Sequence, residues 1–402
     1  MNIWRSGAAW VVLGVMMGIL PRPAMAADPI AAPVLHLPPT PYRYADLPAP
    51  SFYNSNPVRR LDSTPRDNPI TDAGATLGRV LFYDTRLSAN NTVSCASCHQ
   101  QAHAFSDPRR FSVGFGGKPT DRHSMPLVDL RYYGRGRYFW DERAGSLEAQ
   151  VLMPIQNGTE MGQDLSRLQQ LLAADDHYPT LFRQAFGDSS ITSPRIAAAL
   201  AQFARSLVSY RSKFDRGLGQ ARAIDRDFDN FSQAENRGKQ VFLNRCAVCH
   251  LPPGQGVIFS SQQAQNNGLD LGVNVPDLGL ADVTFNRFEA GDFKAPSLRN
   301  IEYTGPYMHD GRFSTLEQVV EHYSSGVKNH PNLDRRVGPP GGRRLSPADK
   351  AALVAFLKTL SDPEFIRDPR FADPFERKAA PPAPRSIVRN AVLNRTNSGE
   401  SR

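Results

Sequence analysis

The chain has 402 residues, 47 Lys and Arg against 39 Asp and Glu, and four cysteines. That length is too great for one small domain and suggests two domains with extensions. The formal charge of +8 is modest and gathers in the tail, at Arg377, Lys378, Arg385, Arg389, Arg395 and Arg402, so it gives no ground for a nucleic-acid or membrane-surface partner.

Residues 1–26 carry Arg5, the apolar run Ala8–Leu20 and then Ala24-Met25-Ala26, the pattern of a secretory signal peptide. An apolar run of about a dozen residues falls short of the roughly 20 that span a bilayer, so cleavage is expected to leave no membrane anchor. Residues 27–70 are rich in proline, from Pro29 to Pro69, and read as an irregular arm laid over the surface.

A repeat follows. Gly78-Arg79-Val80-Leu81-Phe82 predicts a helix that leads to Cys95-Ala96-Ser97-Cys98-His99. Gly238-Lys239-Gln240-Val241-Phe242 leads likewise to Cys246-Ala247-Val248-Cys249-His250, and the two cysteine motifs start 151 residues apart. Ser232 and Glu235 offer the second helix a capping box. Between the two, Ser193-Pro194 opens a helical segment with Ile196, Leu200, Phe203 and Leu207 at helical spacing, read as a link between domains. Further on, Ser314-Thr315-Leu316-Glu317 predicts a capped helix with Leu316, Val319, Val320 and Tyr323 on its apolar face and His322 turned away. Ser346-Pro347 starts a closing helix with Leu353, Phe356, Leu357 and Leu360. No stretch alternates as a sheet would. The expected fold is mainly α, with two cytochrome c-like haem domains, 71–215 and 216–362, long irregular loops and extended terminal arms, the last being a basic, partly disordered tail over 363–402.

Cys-x-x-Cys-His occurs twice and uses all four cysteines. Each copy supplies two thiols for the vinyl groups of a c-type haem and a histidine for its iron, so Cys95, Cys98, His99, Cys246, Cys249 and His250 are read as binding two covalent haem c groups. A redox dithiol or half a zinc site would explain one such motif but not two with no cysteine left over. Haem c is attached outside the cytoplasm, which agrees with a periplasmic protein.

Downstream of His99 stand Phe139-Trp140-Asp141-Glu142-Arg143-Ala144, then Gln150, Pro154 and Gly158-Thr159-Glu160-Met161-Gly162. Here the chain resembles the bacterial di-haem cytochrome c peroxidases, and more narrowly their MauG-like branch, from about Leu77 to Leu360. The resemblance implies that Gln150, Pro154 and Glu160 line the peroxide pocket of the first haem. Glu160 would move a proton from one peroxide oxygen to the other, Gln150 would orient peroxide or water, and Pro154 would end the helix begun at Ser146. It implies that Trp140 lies between the haems and relays electrons.

One departure matters. Many relatives of this kind have a histidine in the segment matching Ser112–Gly117 that blocks the peroxidatic iron until the second haem is reduced, and this chain has Phe115 there. Phenylalanine cannot ligate iron, so the first haem is expected to be five-coordinate or water-bound and competent without reductive activation, with His103 and His123 as surrogate ligands to be tested. For the second haem the sequence offers Met308, His309, His322, Tyr323 and His330. Tyr323 matches the place where typical di-haem peroxidases have a methionine ligand and MauG-like proteins a tyrosine, and tyrosinate stabilises oxidised iron. The resemblance also puts a calcium ion at the carbonyls of Thr304 and Pro306, with His309 as a structural residue near the second haem. The asparagine that usually completes the calcium shell is matched here by His123, a poor calcium ligand.

The expected function is a periplasmic di-haem c-type peroxidase that reacts with hydrogen peroxide at the His99 haem. It would oxidise an external donor, a small cytochrome c, a cupredoxin or a protein, through a His250/Tyr323 haem. The rivals are a reductively activated peroxidase that detoxifies hydrogen peroxide and a non-catalytic electron carrier.

Overall fold

The computed structural model describes residues 34–251, 257–272 and 276–376. The segment 1–26, read above as a signal peptide, and the tail beyond 376 lie outside the described residues. Residues 35–376 form one compact unit. It is mainly helical, and among the described residues strands are two residues long, as in Ala264–Gln265 paired antiparallel with Phe293–Lys294.

Six helices position the site: α1 (Asp72–Tyr83), α2 (Leu147–Gln156), α3 (Ser193–Ser206), α4 (Gln233–Arg245), α5 (Leu316–Glu321) and α6 (Pro347–Lys358). Each starts at a hydroxyl that caps a free backbone N–H: Thr71, Ser146, Thr192, Ser232, Thr315 and Ser346. The capping box of α5 joins Thr315 and Gln318, one residue later than the Ser314 and Glu317 pair suggested by the sequence.

The sequence repeat is a structural repeat. α1 crosses α3 so closely that a Cβ on Gly78 would sit 2.0 Å from the Ala199 carbonyl oxygen, and α4 crosses α6 so that a Cβ on Gly238 would sit 1.9 Å from that of Ala352. The nearest side-chain atom is the Cβ of Phe203 in one crossing and of Phe356 in the other, both at 2.8 Å. Only glycine permits such a crossing. α3 is therefore the closing helix of the first half, the counterpart of α6, and not the link between domains that its position suggested. Its apolar residues Ile196, Leu200 and Phe203 are buried against α1 in a core with Leu81, Phe82 and Phe105. The second core gathers Phe214, Phe242, Phe259, Phe356 and Leu360.

The terminal arms are better anchored than their composition suggested. Tyr44 is fully buried and its hydroxyl donates to the Arg370 carbonyl at 2.6 Å. After Pro363 the chain returns to the first core and buries Phe365 and Phe371 completely, so what reads as tail is packed as far as Glu376. Proline and arginine dominate that stretch and hide its two aromatic anchors. Between the cores Arg299, fully buried, makes a bidentate pair with Asp215 at 2.9 Å and faces Asp129 at 3.5 Å. Burial raises the Asp129 carboxyl to about 7 despite Arg299.

Candidate active site

The first motif lies on a single helical turn, Cys95–Cys98, closed by a capping box between Ser94 and Ser97. His99 leaves that turn, and its Nδ1 lies 2.9 Å from the Phe105 carbonyl. Ala104 and Phe105 have φ of +50° and +61°, a left-handed pair that turns the carbonyl back toward the ring. The carbonyl takes the Nδ1 proton and leaves Nε2 free as a ligand, the arrangement that orients metal-bound histidines. Desolvation holds the imidazole below its ordinary pKa, hence neutral. It also pushes the Cys95 thiol up to about 12, so this pair is not a reactive dithiol.

Glu160 lies close enough to Cys95 and Cys98 for its charge to raise both thiols. Its own carboxyl is raised by desolvation, opposed by Arg143 and assisted by Asp121. The loop that carries it is tightly made. The Asn157 carbonyl accepts from the backbone N–H groups of Glu160, Met161 and Gly162 at 3.1, 3.1 and 2.8 Å. Phe115 donates its N–H to the Glu160 carbonyl at 2.9 Å, and its ring lies on Gly162, where a Cβ would come within 2.4 Å of Cε1. The Phe115 ring is thus seated on the loop that carries Glu160.

Gln150 and Pro154 lie four residues apart on one face of α2. Pro154 does not end that helix, which runs on to Gln156. Lacking an N–H, Pro154 instead deprives the Gln150 carbonyl of its helical donor. Glu148, which the sequence reading passed over, fixes the helix against α3 through Arg205 at 2.5 and 2.9 Å.

His123 and Trp140 join the two halves. The Trp140 indole N–H donates to the His123 carbonyl at 2.8 Å, and the His123 N–H donates to the His309 carbonyl at 2.8 Å. The His123 ring lies 3.1 Å from Ser106 Oγ, next to Phe105, the residue that orients His99. A continuous chain of bonds and hydrogen bonds therefore runs from His99 through Phe105, Ser106 and His123 to Trp140 and His309. Arg122 ties the Trp140 turn to the second half by pairing with Asp141 at 2.6 Å and Asp277 at 2.7 Å. With both ring nitrogens engaged, His123 is not free to ligate the first haem. His103 lies half-exposed on the short turn Gln101–His103 after the motif.

The second motif opens on a cavity of about 200 Å³ lined by Cys246, Cys249, His250, Trp140, Met308, His309 and Tyr323 among mainly apolar side chains. Burial pushes the His250 imidazole down to about 4, which keeps it neutral, as a metal ligand must be. Its buried Nδ1 faces the Phe259 backbone without closing a well-formed hydrogen bond. Two thiols, a neutral histidine and an apolar cleft fit a covalently held haem. Tyr323 comes from a π-helical turn, His322–Gly326, that follows α5. The wider turn departs from the 3.6-residue period, so Tyr323 reaches the cavity while His322, expected to face away, is also buried with its Nε2 3.0 Å from the Asn267 carbonyl. The Asn267 amide nitrogen lies 3.3 Å from the Tyr323 hydroxyl and 3.5 Å from the Met308 sulfur. No sequence pattern singled out Asn267. His309 stacks on Phe293 at 3.7 Å, and His330 is held by Asn266 at 3.0 Å.

Thr304 and Pro306 line the same cavity, but the residues around them do not fit calcium. The His123 Nδ1 points at the carbonyls of Arg109 and Arg110, at 3.2 and 3.3 Å, with that of Thr304 also in reach. An N–H stands there in place of an oxygen ligand.

The family described as di-haem cytochrome c peroxidase matches residues 72–223, and the cytochrome c family matches residues 235–361. Methylamine utilization protein MauG of Methylorubrum extorquens is 38% identical over 325 residues, 78% of this chain and 86% of that protein. Cytochrome c551 peroxidase of Nitrosomonas europaea is 34% identical over 295 residues, 72% of this chain and 81% of that protein. The crystal structure of a MauG-like protein associated with microbial copper homeostasis superposes with a TM-score of 0.66 at 34% identity, covering 77% of this chain and 95% of that one. The chain belongs to the di-haem cytochrome c peroxidase family, in its MauG-like branch, and is an oxidoreductase of that kind.

Proposed function

We propose that the chain is an exported di-haem peroxidase that takes hydrogen peroxide at the His99 site without prior reduction and oxidises an external donor through a second site closed by His250 and Tyr323. The observation that carries this reading is the single cavity in which Tyr323 faces Cys246, Cys249 and His250. Bound at the two motifs, haem would supply the two electrons that reduce peroxide to water and would be re-reduced by two electrons from an external donor.

The chain's own residues do the rest. Phe105 fixes the His99 tautomer. Glu160, whose carboxyl is raised by desolvation and so made a better proton acceptor than an ordinary carboxylate, accepts a proton from one peroxide oxygen and gives it to the other, so that water leaves. Gln150 orients the incoming molecule from α2. Trp140, held by His123 and Lys294, couples the halves. Burial pushes the Tyr323 hydroxyl up to about 12, so it becomes a phenolate only where ferric iron faces it. The donor is a small cytochrome c, a cupredoxin or a protein side chain, and the signal-like segment 1–26 supports a periplasmic location.

A second reading has one observation in its favour: the Met308 sulfur shares the Asn267 amide with Tyr323. A His250/Met308 haem would have a high potential and serve a reductively activated peroxidase. Replacing Tyr323 by phenylalanine separates the two. The proposed function expects the spectrum and potential of the second haem to change, whereas an unchanged haem in that variant, with loss of ligation in Met308→Leu, would establish the second reading.

A further inference from the structure

Beside Trp140 lies a cluster that the peroxide chemistry above does not use. Glu142 is 1% exposed and has φ +56°, a conformation that costs a residue other than glycine energy and persists only where its surroundings hold it. Its Oε1 accepts a hydrogen bond from the Tyr133 hydroxyl, and its Oε2 lies 3.1 Å from the Arg135 guanidinium. Lys294 closes the cluster. Its backbone N–H donates to the Trp140 carbonyl at 2.8 Å, and its Nζ stands 3.7 Å from the centre of the Tyr133 ring. Tyr133 is 2% exposed, so the proton acceptor for its phenol is Glu142 and not water.

A buried phenol that gave up an electron alone would become a cation in a low-dielectric site, where burial disfavours positive charge strongly enough to push the neighbouring Lys294 amine down to about 7. The electron can leave only if the proton leaves with it, and Glu142 is already hydrogen-bonded to that proton.

We propose that Tyr133 is a redox-active tyrosine that returns an electron to the peroxide-oxidised Trp140 relay, its hydroxyl proton passing to Glu142 as the electron leaves. The inference rests on the peroxidase reading above, which supplies peroxide as the oxidant. One electron leaves Tyr133 and reduces the oxidised relay by one. The phenolic O–H bond breaks and an O–H bond forms at Glu142 Oε1, leaving a neutral tyrosyl radical beside a neutral carboxylic acid. When an external donor re-reduces Tyr133, the phenolate oxygen, far more basic than a carboxylate, takes the proton back from Glu142. Tyr138, whose hydroxyl pairs with that of Ser63 at 2.9 Å, is the internal control.

The test mixes the ferric, haem-loaded protein with one equivalent of hydrogen peroxide, freezes it and records EPR and haem absorption on the same samples. Protein labelled with ring-deuterated tyrosine identifies a tyrosyl signal by its narrowing. The expected result is a tyrosyl radical that falls about tenfold or more in Tyr133→Phe and in Glu142→Gln, and survives in Tyr138→Phe, while the haem bands respond to peroxide in all three. A signal undiminished in Tyr133→Phe, or no tyrosyl signal in wild-type protein whose haem bands respond, overturns the proposal. Haem bands indifferent to peroxide overturn the peroxidase reading as well, and the absorption record tells that failure from the other. Should Tyr133→Phe not assemble, the nearly isosteric Glu142→Gln decides alone.

Discussion

The side-chain amide nitrogen of Asn267 stands 3.3 Å from the Tyr323 hydroxyl, inside the cavity of the second motif. A donor at that place draws electron density from a phenolate and so weakens its hold on oxidised iron. Hydrogen bonds to charged groups contribute about 1.5–3 kcal/mol, so Asn267→Leu is expected to lower the potential of the second haem by roughly 60–130 mV. Spectroelectrochemical titration measures this, and an unchanged potential would remove either the hydrogen bond or Tyr323 from the iron.

The role proposed for Glu160 predicts a pH dependence. Its folded pKa is raised, chiefly by desolvation, so the carboxylate that accepts the peroxide proton forms only at pH above the ordinary carboxylate range. The rate of reaction of the ferric protein with peroxide should therefore be low in acid and climb as pH rises through that raised value. Glu160→Gln should be slower by about 10²–10⁴-fold, with the climb gone. Stopped-flow rates across pH check both, and a variant that keeps the same profile would assign the proton transfer elsewhere.

Two glycines give opposite stability predictions. Gly238→Ala forces a methyl group into the Ala352 carbonyl at the crossing of α4 and α6 and should cost about 1–3 kcal/mol. Gly219, in the helix Lys213–Ala221, has no heavy atom near its would-be Cβ, so Gly219→Ala should be neutral or stabilising by up to about 1 kcal/mol. Denaturant unfolding of the haem-loaded variants measures the difference, and equal effects would mean that the crossing can yield.

What was legible in the sequence was what chemistry and periodicity force into a pattern. The two Cys-x-x-Cys-His motifs, the glycine-led helices before them, and the capped starts of α4 and α6 all come from local rules, and the structure has each of them. α3 carried its helical signal but not its partner, because nothing in its own residues says that Ala199 will meet Gly78. His322 was misplaced because a π-helical turn breaks the period from which its direction was read. Asn267, Glu142 and Lys294 carried no signal. Their roles arise from residues 56, 9 and 161 positions away in sequence, Tyr323 and Tyr133 being the contacts of the first two and Tyr133 also of the third.

Phe115 lies on Gly162 and donates its backbone N–H to the Glu160 carbonyl, and phenylalanine cannot ligate iron. Phe115→His should convert the resting first haem toward a six-coordinate, low-spin form and make its reaction with peroxide depend on prior reduction. EPR of the ferric variant reads the spin state, and a high-spin signal identical to that of the wild type would show that position 115 does not reach the iron.

The proposed function requires a first site that is open in the fully oxidised protein. The direct measurement is to add one equivalent of hydrogen peroxide to the ferric, haem-loaded protein, with no reductant present, and to follow the haem absorption. Immediate changes at both haems are expected, with an oxidised species that persists until a donor is added. Two low-spin haems that ignore peroxide until the second is reduced would contradict the proposed function.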